Sequence, residues 1–264
     1  MRKPSASIAL VALLFAPACG PPGPAADASV CTNPCSCAER GPPDFSREGL
    51  GTPAAGADAR QLAALVRTNH WRTAAGIAPM NGDAQIQSAA AAHAQLMATT
   101  SQSQCWPGVH NETAGCPGFT GQGPGDRMTA AGYQWSMAGE VINWESSPQS
   151  AIDGWMWTVY HRLPFMDYEY TDSGYAYADG PFGGRPATHN VMDFGAPRSP
   201  HPTTPTHPVV FPVPGLTAVP PSFQGWLEGP TPPWPGGGAW PSGRTSGTVI
   251  SMHFPSDAWT VTEH

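Results

Sequence analysis

The sequence is poor in charged residues, and this scarcity excludes several kinds of partner. Only 12% of its 264 residues are charged, and 12 Lys and Arg stand against 19 Asp and Glu, a formal net charge of −7. No cluster of basic side chains is present that would neutralise phosphate groups. We therefore expect neither nucleic acid nor an anionic membrane surface as a partner.

Long hydrophobic runs are also missing. The apolar stretch Ile8–Ala16 has nine residues, whereas a helix that spans a bilayer needs roughly 20. Basic residues precede this stretch and small residues follow it, which predicts an export signal over residues 1–19. Cys19 before Gly20 resembles a bacterial lipoprotein cleavage site, while Ala18 suits an ordinary signal peptidase equally well. The expected location is secreted or in the cell envelope, with a lipid on Cys19 as the one route to a membrane.

Proline and glycine are abundant instead, and they divide the chain. The 32 Pro and 30 Gly crowd towards the two ends, which predicts a Pro/Gly/Cys-rich tether over residues 20–56 and a stiff linker over residues 196–208. Residues 57–195 are expected to form the main domain. Residues 209–264 are predicted to form a small β-rich segment, because a β-sandwich needs about 100 residues. Its end without a closing turn suggests a truncated chain.

Two helices open the predicted domain. An apolar pattern with three- and four-residue spacing begins at Asp58 and ends at Gly76. Asp83 is a good N-cap for a second, Ala-rich helix. His93 falls on the apolar face of that helix, so we expect a core histidine there rather than a ligand.

A long polar loop follows over residues 99–125, and such loops inside a compact domain are commonly functional. Cys105 and Cys116 bracket part of this loop and predict a local disulfide in an oxidising compartment. Downstream, the patterns predict a short helix, a strand over Ala138–Trp144, a helix over Pro148–Arg162 and two further strands. This order predicts an α+β fold in which helices cover an antiparallel sheet.

Several short stretches, taken in order, resemble a known family. They are NHWR, the Ala-rich helix with His93, the loop histidine His110, DRMTAAGY, GEVI and TVYHR. Together they resemble the CAP superfamily of cysteine-rich secretory, venom-antigen and pathogenesis-related proteins, which has many bacterial SCP-like members. The resemblance covers residues 58–195. It implies a three-layer α-β-α sandwich with a surface cleft that holds two histidines and two acidic residues.

The resemblance assigns three residues of this sequence to the ligand cleft. His110 matches the loop histidine, Glu140 the first acid, and His161 the second histidine. Each also has a purely structural interpretation, since Glu140 can accept hydrogen bonds in a half-buried place and His161 can close a helix C-terminus. Their occurrence in family order favours the cleft.

The sequence departs from the family pattern at two positions. The Asn that follows the first acid in the family is Val141 here, and the position of the second acid falls on Ser150. Glu112, two residues after His110, is the first candidate to supply the missing acid, and we add it to the predicted ligand cleft. Weaker candidates are Glu145 and Asp153.

The expected chemistry of this cleft is binding. Two imidazoles and one or two carboxylates can hold a divalent cation such as Zn²⁺ or Ca²⁺, which we assign to His110 and His161. The sequence contains neither H-E-x-x-H nor G-x-S-x-G, so a non-enzyme is favoured and the question of catalysis stays open. The leading interpretation is an exported SCP-like protein that binds a lipid, glycan or protein ligand. The alternatives are an extracellular metal-dependent hydrolase that uses the same cleft and a structural envelope protein.

Overall fold

The chain is described in two parts. The computed structural model describes residues 51–198, 202, 204–217, 219–225, 228, 231–232, 234 and 238–255. The predicted signal peptide, Cys19 and most of the tether lie outside these residues. We call residues 47–156 and 164–204 the sandwich unit, and residues 157–163 with 205–264 the C-terminal unit. Among the described helices, none combines the length and apolar character that a membrane crossing requires.

The order of elements is close to the one predicted. Up to residue 197 they are α1 (Ala59–Ala74), β1 (Asn81–Gly82), α2 (Ala84–Thr99), α3 (Gln102–Cys105), α4 (Pro124–Ala130), β2 (Trp135–Asn143), α5 (Pro148–Met156), α6 (Leu163–Met166), β3 (Asp172–Phe182) and β4 (Arg185–Pro197). The strands form one sheet in the order β1-β3-β4-β2. The long strands are antiparallel, and β1 adds a short parallel pair with β3.

Helices cover both faces of this sheet, which gives the predicted three-layer α-β-α sandwich. On one face, α2 buries Ala90 and Ala94 against Ile142 and Val191 of the sheet, and α4 packs beside it. On the other face lie α1 and α5, which contact each other. Thr68 of α1 reaches the sheet there. The α+β prediction is confirmed.

Local sequence signals fix the starts of the two long helices. The Asp58 side chain accepts the Gln61 amide and the Gln61 side chain accepts the Asp58 amide, both at 2.8 Å, which is a complete capping box. Asp83 caps α2 by accepting the amides of Gln85 and Ile86. Gly76 follows α1 with a φ of 76°. All three predictions from sequence are confirmed.

Helix α2 lies unusually close to the sheet because of a glycine. A Cβ on Gly174 of β3 would stand 2.2 Å from the amide nitrogen of Gln87, which no real side chain tolerates. Because the sheet has no side chain at that point, the helix backbone approaches it directly. The side chains that α2 carries beyond this contact, His93 among them, are thereby held at the sheet face.

The C-terminal unit contains a small two-stranded sheet. Its strands are β5 (Val209–Phe211) and β6 (Ser251–His253), which pair antiparallel. Its core holds Val159, Phe223, Trp240 and Val249. Residues 157–163, expected from the sequence to belong with the main domain, therefore group with the C-terminal segment.

The predicted helix over Pro148–Arg162 is shorter than expected. It ends at Met156 as α5, and the following residues form turns. In a continued helix the Val159 amide would pair with the carbonyl of Trp155. Instead it donates to the Glu228 carboxylate at 2.6 Å, so a distant acidic residue takes the hydrogen bond that helix extension needs.

Candidate functional site

A disulfide closes the loop that carries His110. Cys105 and Cys116 are bonded to each other, as predicted. The loop between them packs partly against the α2 core through Val109. It therefore starts and ends at fixed points, which limits where His110 can lie.

His110 is held by Glu140 and remains open to solvent. Its Nδ1 lies 2.9 Å from Oε1 of Glu140, and its side chain is 39% exposed against 1% for the glutamate. A carboxylate accepts only, so Nδ1 carries the proton of this bond. In the neutral ring the other nitrogen, Nε2, is then a hydrogen-bond acceptor.

The backbone before His110 is strained. Val109 has a φ of 42°, a region that β-branched residues rarely enter. The His110 amide donates to the Gly108 carbonyl, which makes a γ-turn of the less favourable kind. The Val109 carbonyl that this turn exposes accepts from His93 at 2.8 Å. The strained turn is thus anchored to α2, and it sets the direction of the next side chain, His110.

Arg127 of α4 connects the loop to Glu140. Its guanidinium is fully buried and donates to Oε2 of Glu140 at 2.5 Å and to the His110 carbonyl at 3.1 Å. Burial alone would raise the pKa of Glu140, but the bond from His110 and the charge of Arg127 outweigh burial and lower it. Glu140 is therefore an anion, and both of its oxygens have partners.

Glu112 does not line a surface cleft, contrary to the expectation from sequence. Its side chain is wholly buried and lies 2.9 Å from Nδ1 of His93, and its other oxygen accepts the Thr120 amide. Burial would raise the pKa of Glu112, but the bonds from His93 and Thr120 and the Arg127 charge lower it. Glu112 lies two residues after His110 in the loop, and its side chain points inwards whereas that of His110 points outwards. His93 is a core histidine, as predicted.

Asp193 is a further buried acid beside Glu140. The two residues are directly opposite each other on β4 and β2. Neither oxygen of Asp193 has a hydrogen-bond partner among the described residues. Burial, followed by the neighbouring Glu140 charge, raises the pKa of Asp193 well above its usual range. The raised pKa favours the protonated form of Asp193, which can donate a hydrogen bond to Glu140.

His161 belongs to the C-terminal unit. Its Nδ1 lies 3.1 Å from the Thr158 hydroxyl and 3.3 Å from Oε2 of Glu228. Its side chain is about one quarter exposed. His110 and His161 belong to different units, so the prediction that they share one ligand stays a prediction.

The other candidates for the missing acid have structural partners. Ser147 caps the start of α5 by accepting the Ser150 amide, and the Ser150 hydroxyl accepts the Ser147 amide in return. Asp153 accepts two bonds from Arg67, at 2.7 and 2.8 Å, and one from Trp71. It ties α5 to α1.

Glu145 is exposed. Its amide donates to Asn143, and its carbonyl accepts from Asn190. These backbone bonds place it at the end of β2 and leave its carboxylate outside the His110–Glu140 contact.

The donors around His110 do not fit a metal ion. Within the described part of the chain, no group of three or more His, Cys, Asp or Glu side chains is arranged to hold one. Both oxygens of Glu140 are already bonded, one of them to a cation, Arg127. A divalent ion would have to displace these bonds and face the guanidinium charge. The metal predicted at His110 and His161 stays a prediction.

An open groove lies elsewhere on the sandwich unit. Its volume is about 690 Å³, and its lining includes Trp144, Asp179, Arg185 and Thr188. The Trp144 ring stacks on Phe182, with 3.9 Å between ring centroids. Trp144 packs against the same core cluster as Val109. The groove and the loop of His110 thus pack against the same part of the hydrophobic core.

Sequence reasoning missed Arg127, Asp193 and Glu228. Arg127 carried a signal, since it is the one basic residue of a short helix and stands next to the apolar Met128. Asp193 carried another, because it lies on the same strand face as buried Val191. Glu228 lies in a Pro- and Gly-rich stretch without periodicity, so no local pattern singled it out.

Known proteins match this chain in one region. A family profile described as CAP: Cysteine-rich secretory protein family matches residues 65–194. The chain is also similar to a 1.5 Å crystal structure of an extracellular protein containing a SCP domain from Bacillus anthracis str. Ames, with 20% sequence identity and a TM-score of 0.39. That similarity covers 52% of this chain and 40% of the other, so it spans less than half of the solved protein. None of the curated proteins matches this sequence.

Proposed function

Because the chain belongs to the cysteine-rich secretory protein (CAP) family, we propose that it is an exported binding protein whose sandwich unit holds its ligand at His110. The observation that carries this proposal is the pairing of an exposed imidazole with a buried carboxylate. The Glu140–Arg127 pair fixes His110 through Nδ1. Nε2 is thereby presented as an acceptor to a hydroxyl or N–H group of a ligand.

The preorganisation of His110 supports binding. The disulfide, the strained turn at Val109 and the bond to Glu140 all order the histidine before a ligand arrives. Little side-chain entropy is then lost on association, which favours affinity. An exposed histidine without a role would need none of these three restraints.

Among a lipid, a glycan and a protein, the ligand that we propose is a neutral glycan. The open groove adjoins the same core cluster as Val109 beside His110, and its Trp144 ring has Asp179, Arg185 and Thr188 around it as hydrogen-bonding groups. Aromatic faces with polar groups at their edge suit sugar rings. The net charge of −7 disfavours an acidic polysaccharide.

The test is a titration of the full exported chain with neutral N-acetylglucosamine oligomers. His110→Ala is expected to weaken binding about tenfold or more, since each tenfold change corresponds to about 1.4 kcal/mol. His207→Ala is the matched control, because His207 is exposed in the C-terminal unit. Unchanged affinity of the His110→Ala protein, measured by calorimetry, would contradict the proposal. Neutral lipid vesicles titrated in parallel test the lipid alternative.

The hydrolase alternative has less support. Within the described part of the chain, no serine, threonine or cysteine side chain is hydrogen-bonded to the His110 ring, so the imidazole has no nucleophile to activate there. A His–Glu pair can still serve as a base towards water. Release of reducing sugar from the same oligomers during the titration would favour this alternative over simple binding.

A further inference from the structure

One buried carboxylate in the C-terminal unit faces three nitrogen atoms of a single turn. Oε1 of Glu228 accepts the Val159 amide at 2.6 Å, and Oε2 lies 3.4 Å from the Tyr160 amide. Oε2 also lies 3.3 Å from Nδ1 of His161, and the Glu228 side chain is 1% exposed. Glu228 is outside the family-matched residues 65–194, whereas the turn is inside them.

The surroundings of Glu228 hold it in place. Its own carbonyl accepts from Thr231. Arg162, next to His161, donates to the Val249 carbonyl at 2.9 Å and lies over the Phe211 ring. Burial lowers the pKa of Arg162 to about 10, and the Glu228 charge opposes that fall. The residue after the histidine is thus a buried cation, and the carboxylate near its ring is buried as well.

The Glu228 carboxylate favours one of the two neutral tautomers of His161. Both oxygens of Glu228 accept backbone N–H groups, so neither is free to act as a donor to the ring. A carboxylate oxygen 3.3 Å from Nδ1 therefore favours the tautomer that carries its proton on Nδ1. The neutral ring then has a bare Nε2, which is available to accept a hydrogen bond.

We propose that Glu228 is a positioning residue, which holds His161 as its Nδ1–H tautomer and presents Nε2 as an acceptor. The C-terminal segment is then a working part of the protein, because it supplies the group that orients a histidine of the family-matched region. A ligand role for His161 rests on the proposed function. The tautomer itself does not depend on any ligand.

The experiment is a long-range ¹H–¹⁵N NMR spectrum of the full chain with ¹⁵N-labelled histidine, at an alkaline pH where imidazole is neutral. A His161→Gln variant identifies the signals of this ring. The native protein is expected to show the Nδ1–H tautomer at His161. Glu228→Gln is expected to lower the Nδ1–H fraction at least twofold, while Glu145→Gln, an exposed glutamate, leaves it unchanged.

Each outcome of this experiment either supports or overturns the proposed role of Glu228. A native His161 that is Nε2–H overturns the proposal, as does a folded Glu228→Gln protein that keeps Nδ1–H in full. Should Glu228→Gln fail to fold, Thr158→Val removes the other partner of Nδ1. Retention of Nδ1–H in that variant supports Glu228, and its loss assigns the role to Thr158. Because no ligand is added, a failed glycan titration and a failed tautomer experiment are separate results.

Discussion

Protonation of Asp193 limits the negative charge of the buried cluster around Glu140. Glu112 and Glu140 carry negative charges, and Arg127 carries a positive one. The ring nitrogens of His93 lie against Glu112 and the Val109 carbonyl. A charged Asp193 would add a further anion to this buried cluster. The proton on Asp193 avoids that cost.

The proton on Asp193 predicts a pH dependence of stability. Its folded pKa is raised, and its unfolded pKa is about 3.9. Between these values the folded state binds a proton that the unfolded state has lost, so the free energy of unfolding falls as pH rises. Asp193→Asn should remove this fall, because an amide is neutral at all pH and can donate to Glu140.

Urea unfolding at pH 5 and pH 8 checks this prediction. The advantage of Asp193→Asn over the native protein is expected to grow from pH 5 to pH 8, by about 1 to 3 kcal/mol. Asp179→Asn, an exposed change on β3, measures how far any Asp-to-Asn substitution moves the curve. An advantage that is absent or equal at both pH values would show that Asp193 is charged in the folded protein.

At the scale of elements, the loop between α3 and α4 combines two opposite placements. Two residues apart, Glu112 points into the core and His110 points to solvent. The disulfide at the base of this loop limits the conformations of the unfolded chain. It also holds Val109 against the core in its strained conformation. Loss of the disulfide should therefore affect both stability and the order of His110.

Replacing both cysteines by serine tests this role. For a sequence separation of 11 residues, the double variant should lose about 2 to 3 kcal/mol of the free energy of unfolding. Urea unfolding followed by tryptophan fluorescence measures the loss, with Ser103→Ala, an exposed change in α3, as the control. Identical unfolding midpoints for the native and double-serine proteins would mean that tertiary contacts alone fix the loop.

Local signals made much of the sandwich predictable. Asp58, Gly76 and Asp83 bound their helices because capping is a short-range effect. The disulfide followed from the spacing of two cysteines around one loop. The end of α5 was not predictable, because the acceptor that stops it, Glu228, is 69 residues away from Val159.

The side chains of the candidate site were harder to predict. The family resemblance placed His110 and Glu140 at matching positions, and the structure brings them within 2.9 Å. The family resemblance could not tell that Glu112 points inwards, because the direction of a side chain in this turn depends on φ at Val109. Asp193 escaped notice for a similar reason, because its role follows from strand register.

At the scale of the whole molecule, export decides where the binding site works. The N-terminal pattern predicts a signal peptide, with either a lipid on Cys19 or ordinary cleavage after Ala18. We expect the lipidated form, which would tether the sandwich unit to a membrane through the Pro- and Gly-rich segment. Mass spectrometry of the mature N-terminus after expression in a bacterial host checks this, and an unmodified start at Cys19 or later would contradict it.

The chain order of the C-terminal unit has a consequence for how the protein matures. Val159 contacts a residue 69 positions later, and Arg162 one 87 positions later. A chain that leaves a ribosome or an export channel from its N-terminus delivers the histidine turn long before the segment that fixes it. Closure of such distant contacts is slow. His161 is therefore among the last parts of the protein to reach its final form, and its assembly waits for residues near 250.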